Sequence, residues 1–176
     1  LWLPEVLLDA DMVVSMPKMK AHHWVGVTLS MKNCFGCLPG RVYGWPKNVL
    51  HWRGIPNSIL DIVGAVRPSA VIVDGIVGME GDGPIKGTPI EAGHLVFGTD
   101  PVATDVVAAR VMGVDPERID YLVEAGRYLG QARWEEIRQV GEDPEATGLA
   151  FELIPEFAYL AYGSSASRQE RDATGG

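Results

Sequence analysis

No apolar run in this sequence approaches the roughly 18 residues that a helix needs to span a bilayer, so a transmembrane helix is not expected in this stretch. Cysteine is scarce: two in 176 residues, too few for a disulfide scaffold. Positive charge is in deficit. The net charge of −8 argues against nucleic-acid binding by the surface as a whole. Twenty-one Gly and 12 Pro imply many tight turns but form no repeat. An initiating Met is also missing. Leu1 to Leu8 reads as the tail of a helix already under way, so we expect a fragment of a longer, cytoplasmic chain, truncated at its N-terminus.

What is present is the composition of a globular domain, with 47% hydrophobic and 22% charged residues. At this length one domain with a real core is expected over residues 1–162, followed by a disordered polar tail over 163–176. Charge is unevenly placed. Residues 1–60 carry a net +3, residues 61–176 a net −11. The first third also holds three of the four His and both Cys. A basic patch on an acidic protein points to a small anionic ligand rather than a polymer.

Apolar runs at Asp11–Met16, Ser69–Asp74 and Gly93–Gly98 read as strands. Ile137–Val140 and Phe151–Ile154 are further strand candidates. Ile59, Ile62, Val63 and Val66 share one face of a helix starting near Pro56. Asp100-Pro101 opens a second helix and Asp115-Pro116 a third. Lys18–Gly26 reads as a loop, Val27–Asn33 as a short helix and Cys34–Trp52 as mostly loop. Alternation of this kind predicts an α/β fold, a mostly parallel sheet with helices on its faces. Its ligands would sit beyond the carboxyl ends of the strands, where the Lys/His segment, Asp74 and Asp100 would gather.

Lys18-Met19-Lys20-Ala21-His22-His23 is the densest polar cluster. His22 and Lys20 are candidates for moving a proton and holding an anion. Lys32, in an apolar stretch, has two readings: an amine made nucleophilic or basic by burial, or a snorkelling side chain. Lys32 and Asn33, with Asp74 and Glu80 at a strand end, are the candidates for holding a cofactor. Cys34 and Cys37 have redox or metal spacing, and His51 could add a third ligand. A zinc site or an iron–sulfur cluster normally wants four ligands, and no second pair is present. Gly81-Asp82-Gly83 and Gly83–Thr88 fail the dinucleotide and P-loop spacings. His94, inside an apolar strand, reads as a satisfied core histidine.

Pro17–His22, Gly26–Thr28, Lys32–Gly40, Val73–Gly81, Gly83-Pro84 and Thr99–Asp105 together resemble the domain-of-unknown-function 362 family, over about residues 5–142. The resemblance implies a longer full-length protein, with a ferredoxin-like 4Fe–4S module elsewhere in the chain as one expectation. His22-x3-Gly26-x5-Lys32 also resembles the core motif of the nickel-pincer lactate racemases. That similarity implies a nickel-type cofactor tethered at Lys32, with His22 as acid/base and His51 as nickel ligand by order. Thr28–Met31 departs from it, since the racemases have a Gly-rich run there. Three functions stay open: a metal- or cofactor-dependent enzyme acting on a small anionic metabolite, an iron–sulfur-linked redox component, and a non-catalytic binding module.

Overall fold

The computed structural model describes residues 1–44 and 47–164. The chain opens with α1 (Glu5–Leu8), β1 (Val14–Ser15) and β2 (Lys18–His22), then β3 (Gly26–Thr28) and α2 (Ser30–Asn33), which runs into a 3-10 turn over Cys34–Cys37. Two short helices follow, α3 (Gly40–Tyr43) and α4 (Asn48–Trp52), before α5 (Ile55–Val66). The second half comprises β4 (Ala70–Glu80), β5 (Thr88–Ile90), β6 (His94–Gly98), α6 (Pro101–Val111) and α7 (Asp120–Ala125), with further 3-10 turns to Leu160. The class is α/β, as expected. No helix among the described residues is long and apolar enough to cross a membrane.

β4 is the axis of a mixed sheet. β6 is antiparallel to it from Val71 to Gly75, and β5 continues that edge antiparallel from Gly78 to Glu80. The other edge is left to β1 and β2, both parallel to β4. Val14 faces Ala70, Ser15 faces Val71 and Lys18 faces Asp74, one constant register, so β1 and β2 are two halves of a single line of chain. Pro17 divides them, because it has no N–H to give to a ladder. β3 folds back antiparallel on β2.

Side chains alternate across the sheet. Ser15, Met19, Val71, Val73 and Val96 are buried beneath the helices. The apolar face of α5 predicted from its spacing is buried in full: Ile59, Ile62, Val63 and Val66. Val102, Val106 and Ala109 of α6 join the same core. The opposite face carries Val14, Met16, Leu95 and Phe97, all exposed, the last at 67%.

Several expectations are corrected. β6 runs against β4, so Asp100 falls at the opposite end of the sheet from His22, and Asp74 lies in mid-strand rather than at a strand end, because β4 runs on to Glu80. It caps α6 instead, accepting N–H bonds from Val102 (2.8 Å) and Ala103 (3.1 Å). Lys18–Gly26 is largely strand, because Lys20 and Ala21 pair with Thr28 and Val27. That pairing also moves the start of the following helix to Ser30. Ile137–Val140 and Phe151–Ile154 are not strands: Val140 is 81% exposed, and Phe151 packs its ring against Gly78. Trp45, Pro46 and residues 165–176 lie outside the described residues, and so does nearly all of the expected polar tail.

Two glycines make the close approaches that shape the β2–β3 turn. Gly26 has φ +82°, and a Cβ there would run into Leu160. Gly83 lies so near the Ala21 carbonyl that a Cβ would clash with backbone. Gly26→Ala is expected to cost about 2 kcal/mol, from strain at positive φ and overpacking combined. Urea unfolding checks this, and a loss below about 0.5 kcal/mol would contradict it.

Candidate functional site

The line β1–β2 delivers Lys20 and His22 to one end of the sheet, and the turn after β2 adds His23 and Trp24. α2 contributes Lys32, and the 3-10 turn after it contributes Phe35. Lys47, in the left-handed conformation at φ 68°, and His51 arrive from the start and body of α4. Two aromatic rings organise the cluster. The Lys32 Nζ sits 4.0 Å from the Phe35 ring centroid, Lys47 Nζ 5.8 Å, and the His51 ring 5.7 Å. Trp24 meets His51 edge-on at 4.6 Å and His23 at 5.0 Å. The His22 and His23 rings are 5.2 Å apart.

Three lysines and three histidines thus share one small volume. Among the described residues the Nζ atoms of Lys20 and Lys32 have no hydrogen bond and no acidic partner. Lys47 is buried, and its ammonium donates to the carbonyls of Phe35 (2.7 Å) and Gly36 (3.3 Å). Asp82 brings its carboxylate to 3.0 Å from His23 Nδ1. His23 also donates its backbone N–H to Gly83, tying the glycine-rich loop to the site.

Electrostatics follow from this crowding. Burial, then the charges of Lys32, His23, Lys20 and His51, hold His22 down at about 3. It is therefore neutral at physiological pH. Its Nδ1 accepts the Trp24 N–H at 3.0 Å, which leaves the ring proton on Nε2. His22 thus presents an N–H donor, not a free base. Burial, then Lys47 and Lys20, bring Lys32 down from 10.5 to about 8. Burial, then Lys32, lower His51 against the pull of a hydrogen bond to the Lys47 backbone.

The remaining predicted residues do other work. Asn33 donates to the Ser15 hydroxyl at 3.2 Å, joining α2 to β1. Asp74 pairs with Lys18 at 2.8 Å on the uncovered face. The Glu80 carboxylate accepts the Glu152 N–H at 2.9 Å. Cys34 and Cys37 are free thiols. Cys34 is buried, donates to the Ser30 carbonyl, and is pushed up to about 12 by burial and by Cys37, against thiolate formation. Among the described residues no three His, Cys, Asp or Glu side chains come together as a metal ion requires. Cys34, Cys37 and His51 do not form such a group among the described residues.

Asp105 has a larger part than its sequence position indicates. It is fully buried on α6, and its two carboxylate oxygens accept the N–H groups of Ser30 (2.7 Å) and Met31 (2.9 Å). Burial pushes its carboxyl up to about 8 against the pull of those bonds. These N–H groups are unpaired donors of the first turn of α2, so Asp105 fixes the segment that carries Lys32. Lys47 is the other residue that sequence reasoning passed over, since a lysine among Gly and Pro looks like ordinary loop. A separate cleft of about 770 Å³ lies between β6, α6 and residues 136–142, away from the Lys/His cluster. Asp100 on its wall is already occupied as a helix cap.

Comparison with known proteins agrees with the sequence motifs. A thylakoid-associated protein of Synechocystis sp. is 31% identical over 157 residues, covering 86% of this chain. The chain spans 44% of that relative's length. No solved structure matches. The resemblance to the nickel-pincer racemases gains no support from these comparisons. The family model described as "Domain of unknown function (DUF362)" matches residues 1–110, well over half of the chain, which therefore belongs to the DUF362 family.

Proposed function

We propose that the cluster of Lys20, His22, Lys32 and His51 binds a small carboxylate- or phosphate-bearing metabolite and works on it by acid–base chemistry. The observation that carries this reading is the pair of ammonium groups, Lys20 and Lys32, with no acidic partner among the described residues. Crowded like charges raise the free energy of the empty site, and an arriving anion relieves it. The Nε2–H of His22 is placed to donate to a carbonyl or developing oxyanion without carrying charge itself. Lys32, with an amine that deprotonates near physiological pH, is suited to take or return a proton. Buried Phe35 forms an apolar wall on the Lys32 side of the site.

The test is titration of the intact protein with inorganic phosphate, lactate and pyruvate, followed by tryptophan fluorescence and calorimetry. Binding should be strongest below pH 8 and weaken about tenfold as the pH rises through the Lys32 transition, because one positive charge is lost there. Lys20→Ala should weaken binding by a similar factor. Affinity that stays flat from pH 7 to 9.5, or that Lys20→Ala leaves unchanged, would remove the basis of this reading.

A further inference from the structure

We propose that Lys32 is a nucleophile that condenses with the keto group of a small 2-oxo acid. The inference rests on the anion-site reading and deepens it by naming the substrate class. Four observations converge on Lys32. It stands at the end of α2 with its Nζ over the Phe35 ring at 4.0 Å, a contact that holds the side chain in place beside His51. Among the described residues it has no ion pair or hydrogen bond to hold its proton. Lys20 and Lys47 surround it with like charge, and with burial they bring it to about 8. A desolvated lysine beside other cations is the arrangement in which an amine keeps its lone pair free. The fourth is the neighbouring His22, whose Nε2–H can polarise a carbonyl oxygen.

The other lysines of this region are less fit for the role. The Lys47 ammonium is spent on two carbonyls, and Lys18 is paired with Asp74. A 2-oxo acid suits the cluster because its carboxylate and its carbonyl sit on adjacent carbons. Lys20 can hold the first while Lys32 attacks the second. The lone pair of the neutral amine forms a bond to the carbonyl carbon. The carbonyl oxygen then departs as water with the two amine hydrogens, leaving a C=N bond. No oxidant or reductant takes part.

The test traps that bond. The intact protein is incubated with pyruvate at pH 8, reduced with borohydride, digested and mapped by mass spectrometry. A reduced pyruvate adduct should appear on Lys32 at least tenfold faster than on any other lysine, and phosphate should suppress it. Lactate, which has no carbonyl, should leave no adduct. Lys32→Arg keeps the charge but has no amine able to condense, and should abolish trapping. Adducts spread evenly over the lysines, or absent from Lys32, overturn the proposal. If phosphate and lactate still bind in that case, the anion site stands and the condensation alone fails. If nothing binds, both fail.

Discussion

Replacement of Asp105 by alanine should cost about 3 kcal/mol of folding stability and displace Lys32 with it. The carboxyl group is fully buried, and its two oxygens accept from two backbone donors at the start of α2, 2.7 and 2.9 Å away. Removing it strands both N–H groups in the core, at roughly 1–3 kcal/mol each. Relief from burying a carboxyl group recovers part of that loss. Asp105→Asn is the finer probe. Its amide keeps one acceptor but turns an NH2 toward a donor, so about 2 kcal/mol should go. Denaturant unfolding measures both. In the asparagine variant, the apparent pKa of Lys32 and the affinity for phosphate should shift even where the fold survives. A loss under about 1 kcal/mol in the alanine variant would mean that water or a rearranged backbone satisfies those donors.

Lys32→Met should do the opposite and stabilise the fold by about 2–3 kcal/mol at pH 7. Folding lowers Lys32 from 10.5 to about 8, so between these values the unfolded chain holds more protons than the native one. Stability therefore rises with pH across that window. Below pH 8 the native state bears the whole cost of the buried charge, and above 10.5 it bears none. At about 1.4 kcal/mol per factor of ten, the interval corresponds to roughly 3 kcal/mol, somewhat less after screening of the partly exposed side chain. Methionine keeps the stem and its contact with Phe35 but removes the charge. The gain should fade when unfolding is repeated at pH 10.5, and at pH 7 the affinity for phosphate should fall about tenfold, as it does in the parent when Lys32 deprotonates. A variant no more stable than the parent at pH 7 would show that the site accommodates the ammonium at no cost. A functional residue whose removal stabilises the protein is the usual mark of a site that trades stability for binding.

Helices were legible wherever spacing and caps agreed. Ile59, Ile62, Val63 and Val66 marked α5, and Asp100-Pro101 marked α6, because those signals are local. The direction of β6 was not legible. A strand's apolar pattern is the same whichever way it runs, and here a short excursion through β5 returns the chain antiparallel. Ile137–Val140 shows the converse error, two β-branched residues around Arg138 and Gln139 that form no strand. In the site, the Lys/His segment led to Lys20 and His22, an apolar setting to Lys32, and the thiol pair with the racemase resemblance to His51; the four do come together. The CxxC spacing led to Cys34 and Cys37, which are near each other but pack as free thiols. Lys47 and Asp105 act through backbone carbonyls and N–H groups, and such partners leave no trace in side-chain patterns.

The bond from Ser30 to Asp105 spans 75 residues. Every charged group proposed for chemistry lies before residue 52, yet the clamp that holds Lys32 in place is on α6. A ribosome adding about 5–20 residues per second therefore releases the lysines and histidines several seconds before their anchor exists. During that interval like charges repel with nothing to oppose them, and the apolar strands beside them wait for β4. Within this segment the clustered lysines and histidines are synthesised well before the carboxyl group that fixes the turn carrying Lys32.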